Sequence, residues 1–120
     1  LIEMINATAQ EDAGSVVCIE AKSTMTFDIH YHVRLISADE YSISSYEALR
    51  GFLCGLYAGN YDISHIFIDN LFKIVHGECN QAAEDFLNEL DRFSAVSGVK
   101  FTVSVSGDPQ LATDGMQKFL

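Results

Sequence analysis

Two rhythms of apolar positions run along the chain. The first is that of strands. Residues 15–20, SVVCIE, form an unbroken β-branched run, as expected of a strand covered on both faces. Residues 64–69, SHIFID, form a second such run, and 99–106, VKFTVSVS, a third with Val99, Phe101, Val103 and Val105 inward. Residues 24–36, TMTFDIHYHVRLI, alternate instead. Met25, Phe27, Ile29, Tyr31, Val33 and Leu35 share one face; Thr26, Asp28, His30, His32 and Arg34 share the other. This predicts a half-exposed strand, joined to 15–20 by AKST (21–24) read as the turn of an antiparallel hairpin.

The second rhythm is helical. Leu1, Ile2, Ile5 and Ala9 predict a short amphipathic helix over 1–12, ended by Gly14. Tyr46, Leu49, Leu53 and Leu56 predict a helix over 44–58. Ser44 or Ser45 would cap it, with Glu47 placed for a capping box from Ser44. Gly51, Gly55 and Gly59 lie four apart in or at the end of this helix. Each glycine costs a helix about 1 kcal/mol against alanine, so the spacing predicts close approach to a neighbouring element. Ala83, Phe86, Leu87, Leu90 and Phe93 make the stripe of a helix over 80–96, with Glu84, Asp85, Asn88 and Asp91 on its wet side and Gly98 at its end. Pro109 opens a last helix docked by Leu111, Met116 and Phe119 or Leu120. Strands separated by helices of this length predict a three-layer α/β sandwich with a mostly parallel sheet, in one domain spanning 1–120.

Charge narrows the partners. The chain carries 17 acids against 7 bases, a net charge of −10. No basic patch is available for phosphate backbones or anionic lipid, so nucleic acid and membrane surfaces are not expected as partners. No apolar run approaches the ~20 residues of a membrane span. Cys18, Cys54 and Cys79 form no CxxC pair. Cys18 and Cys54 lie in apolar runs and read as buried thiols of a reducing, cytoplasmic protein. The start at Leu1, inside a helical pattern, reads as that of a fragment or a processed chain.

The candidate chemistry centres on Asp69, an acid where a buried strand finishes. Two readings are open. Ligands of parallel α/β sheets bind at the carboxyl ends of strands, where an aspartate holds Mg²⁺ directly or through water. Alternatively, the carboxylate bonds nearby amides as a turn residue. HIFIDN (65–70) resembles the Walker B strand of P-loop nucleotide triphosphatases. The order of elements over 44–108 resembles the kinase-like and RecA-like branches of that family. The resemblance implies ATP and Mg²⁺ as ligands, Asp69 as the magnesium or water-orienting acid, and Ser104 or Ser106 at the polar sensor position. It also implies that the first helix follows the phosphate loop. The chain departs from the family in holding no G-x-x-x-x-G-K-[ST]: AKST has no glycine, and an alternating strand follows it. The chain as given is therefore expected not to hydrolyse ATP, with the loop either upstream of Leu1 or lost.

A second resemblance is to STAS domains, through the hairpin and VRLISADEYSISSYEALR (33–50). It implies a regulatory module that binds a protein partner. Where that family carries a phosphorylated serine, this chain reads HGECNQ (76–81). His30 and His32, two apart on one strand face, can chelate a transition metal or simply face solvent, and no third ligand is identifiable. His76 and Cys79 form an isolated pair, and no base is legible that would make Cys79 a nucleophile.

Overall fold

The protein is described by a computed structural model over residues 2–11, 14–22, 32–78 and 80–105. Helix α1 (Ile2–Glu11) leads into β1 (Ser15–Glu20), which is followed by β2 (Val33–Ser37) and a 3-10 turn (Ala38–Tyr41). Then come α2 (Tyr46–Gly59), β3 (Ile63–Ile68), α3 (Leu71–Val75), α4 (Gln81–Ser97) and β4 (Lys100–Val103). The strands form one sheet in the order β2-β1-β3-β4, and every pairing is parallel.

The sheet has two different faces because successive side chains of a strand point oppositely. Val16, Cys18, Val33 and Phe67 pack with Ile5 of α1 on one side. Val17, Ile19, Ile36, Ile66 and Ile68 pack against α2, α3 and α4 on the other. This is the expected three-layer α/β sandwich. Covering both faces explains why β1 and β3 are apolar without alternation. Helix α1 returns to the start of β1, so it runs against that strand, and its first turn lies towards the strands' carboxyl ends.

The antiparallel hairpin over 15–36 does not form. Val16 lies beside Val33 and Ile19 beside Ile36 in parallel register. A parallel pair needs a crossover connection of about a dozen residues or more, so AKST cannot be a tight turn between these two strands. Val33 and Leu35 do take the same side, with Arg34 exposed between them.

Ser45, not Ser44, caps α2: its hydroxyl accepts the Ala48 N–H at 3.1 Å. This moves Glu47 out of capping-box register. Asn80 caps α4 in the same way, accepting from Ala83 at 3.1 Å, and Gly98 ends that helix in the left-handed region at φ 81°. The glycines of α2 serve no close approach: a Cβ at 51, 55 or 59 would meet nothing within 4 Å. Cys54 lies on this outward side and is exposed, contrary to its apolar sequence context, because Leu49 and Leu53 take the buried face. The glycine that closeness does require is Gly14. A Cβ there would run into the Asp62 carbonyl and lie 2.8 Å from Ser64 Cβ, where Ser15 N–H donates to Asp62 O at 2.8 Å. The helix opened by Pro109 lies outside the described residues.

Candidate functional site

The carboxyl ends of β1, β3 and β4 come together at one edge of the sheet. Each strand delivers one polar residue there. Glu20 ends β1, Asp69 follows β3, and Ser104 follows β4. Parallel pairing with Ile19 beside Ile68 and Ile68 beside Val103 places the three in adjacent positions. An open parallel sheet presents its ligand-binding crevice at this edge.

Asp69 and Ser104, 35 residues apart in the chain, are directly bonded. The Ser104 hydroxyl donates to Asp69 Oδ1 at 3.1 Å and accepts the Asn70 N–H at 2.8 Å. The backbone fixes both partners. Asp69 N–H donates to Ile19 O at 2.8 Å, Ser104 N–H to Ile68 O at 2.9 Å, and Leu71 N–H to Ser104 O at 2.9 Å. Asp69 is therefore tied to β1 through its amide and to β4 through its carboxylate. The turn reading of Asp69 is not what the structure contains. The N-cap position of α3 is Asn70, in the left-handed region at φ 56°, and the hydroxyl on Asp69 comes from a distant strand rather than from a local amide.

Glu20 is the residue that sequence reasoning passed over. It is buried to 2% exposure, alongside Ser37 at the end of β2. The signal was available: SVVCIE closes on an acid just as SHIFID does. Burial first, then the charges of Asp69 and Glu20, push the Cys18 thiol up to about 12. Cys18 shares the α1 side of the sheet with Phe67. Period-two alternation puts Glu20 on the side of Cys18. The thiol stays protonated at neutral pH and is no nucleophile.

Further back along β3, His65 stacks on Phe67 with ring centroids 4.2 Å apart, and its Nε2 meets Thr102 Oγ1 at 2.7 Å, a second side-chain tie between β3 and β4. Ser106, His30 and Cys79 lie outside the described residues. His32 is exposed in a turn before β2. Among the described residues no group of three or more His, Cys, Asp or Glu side chains could hold a metal. No helix among them is long and apolar enough to cross a membrane.

Comparison with protein-family models, with curated proteins and with solved structures yields no match for this chain.

Proposed function

We propose that this chain is a nucleotide-binding-like domain related to the P-loop nucleotide triphosphatases, truncated or degenerate and not hydrolytic as given. The observation that carries the reading is the bond between the Ser104 hydroxyl and the Asp69 carboxylate at the carboxyl edge of a parallel sheet. The resemblance implies a magnesium or water-orienting acid at Asp69 and a polar sensor residue at Ser104 or Ser106, and here Asp69 and Ser104 are bonded to each other. The interior position of β3, between β1 and β4, supports it further.

The donor set suits magnesium. Asp69, Glu20 and Ser104 offer hard oxygen atoms, and Mg²⁺ is commonly held by one or two carboxylates together with water and substrate phosphates. Asp69 would carry the ion, Ser104 would hold its carboxylate in one orientation, and Glu20 would add negative charge beside it. Bound magnesium would supply charge neutralisation to a phosphate group. A glycine-rich phosphate cradle is absent from the sequence, so no hydrolytic step is assigned.

Calorimetric titration of ATP·Mg²⁺ and GTP·Mg²⁺ into the wild type and Asp69→Ala tests this reading. Binding that weakens in the variant supports it. No heat from a folded wild type sinks it and favours a protein-interaction module instead.

A further inference from the structure

A concave site lies at the carboxyl end of the sheet, on the side away from Cys18. A cavity of about 460 Å³ opens between the ends of β1 and β2, the loop before α2 and the end of α3. This volume falls within the ~300–1,000 Å³ range of small-molecule sites. Its apolar floor is made by Ala38, Ile43 and Ile74, all members of the core under α2–α4, whereas Cys18 faces α1.

The rim is cationic. Lys22, Lys73 and His76 line the cavity. The whole chain has only 7 lysines and arginines against 17 acids, so two lysines on one cavity run against the general field of the molecule. Among the described residues neither lysine forms an ion pair. The one acid of the lining is Asp39, whose Oδ1 accepts from Ser37 Oγ at 2.9 Å. That single carboxylate balances only one of the two ammonium groups. Ser42 and His76, on opposite walls, are both held in the left-handed region, at φ 57° and 55°. Both are the closing residues of the short helices before them, where the left-handed backbone is the usual ending.

We infer that this cavity binds a small molecule bearing an oxyanion, a phosphate or a carboxylate, held by Lys22 and Lys73 with its apolar part on Ile43 and Ile74. The site shares no lining residue with Asp69, Ser104 and Glu20 and does not depend on the nucleotide reading.

The test is an NMR titration of the ¹⁵N-labelled chain with inorganic phosphate and, separately, with citrate. Ionic strength is held constant with chloride, because exposed charges are screened. The expected result is a saturable shift of the Lys22, Ser42, Ile43 and His76 amides. Lys22→Gln and Lys73→Gln should each weaken binding about five- to tenfold, the loss of one partly exposed charge-assisted contact. Lys100→Gln, on the exposed start of β4, should leave it unchanged. Tighter binding of phosphate assigns a phosphoryl ligand, and tighter binding of citrate a polycarboxylate. No saturable shift in the folded wild type overturns the inference. So do shifts scattered over the surface, or equal weakening by all three substitutions. The probes contain no nucleotide, so failure of the ATP titration leaves this result standing.

Discussion

Removing the Ser104 hydroxyl tests the candidate site as a piece of engineering. Ser104→Ala deletes two hydrogen bonds at once, the one to Asp69 Oδ1 at 3.1 Å and the one from Asn70 N–H at 2.8 Å. Both partners are half-buried. An ordinary intramolecular hydrogen bond contributes about 1 kcal/mol net, and more when its acceptor is charged. Partial exposure keeps each bond near the lower figure, because water replaces part of what is lost. The expected loss is thus about 2 kcal/mol. With a urea slope of about 1–3 kcal/mol/M for a domain of this size, the unfolding midpoint should fall by roughly 1 M. The Asp69→Ala, Ser104→Ala and double variants then isolate the side-chain pair, with an expected coupling of about 0.5–1.5 kcal/mol. The assay is urea unfolding followed by circular dichroism at neutral pH. A Ser104→Ala stability within about 0.5 kcal/mol of wild type, the range of an indifferent surface change, would refute the account. Zero coupling in the cycle would refute the orienting role of Ser104 even if the single variant is unstable.

Three further outcomes are expected. The Cys18 thiol is raised from 9.0 to about 12 in the fold. Between those values the unfolded chain has lost a proton that the native chain keeps, so the stabilising contribution present below pH 9 is lost progressively as pH rises towards 12. Urea unfolding of wild type and Cys18→Ala across that range should show a steeper alkaline decline in the wild type. At pH 8 an alkylating reagent followed by peptide mapping should label exposed Cys54 quickly and buried Cys18 only on unfolding. The glycines should divide by environment. Gly14→Ala should destabilise by about 1–3 kcal/mol through overpacking against the 62–64 backbone. Gly51→Ala and Gly55→Ala, in open space on a helix, should each stabilise by about 0.5–1 kcal/mol in thermal unfolding.

The layers of the fold were legible because burial on two faces leaves a plain mark: VVCI (16–19) and IFI (66–68) run apolar without interruption up to the acid that follows each. The stripe of α4 and its end at Gly98 were legible for similarly local reasons. Pairing direction was not. The alternation after AKST looks the same whether its partner runs parallel or antiparallel, and only the register of Val16 with Val33 decides it. Helix α3 was missed because LFKIV is too short for a 3.6-residue period to declare itself. The glycine spacing of α2 misled because small residues look alike whether they face a neighbour or solvent. At the candidate site, Asp69 and Ser104 were each legible as strand-end polar residues, while the bond between them is a product of sheet order. Lys22, Lys73 and His76 carry no shared motif. Only the topology brings 22 beside 73 and 76.

The all-parallel sheet also sets the order in which the molecule can assemble. β1 has no neighbour in sequence to pair with: Val16 waits for Val33 on one side, and Ser15 for Ile63 on the other. The strand that carries Cys18 and Glu20 therefore completes its hydrogen bonding only after the longest loop of the described sheet has closed. Closure entropy must be spent before that contact returns anything. Until then SVVCIE and ISHIFI are open apolar strands, the segments most prone to pair with another chain. The edge that gathers Glu20, Asp69 and Ser104 is consequently a late product of folding, and crowding during refolding should cost yield before it costs the helices.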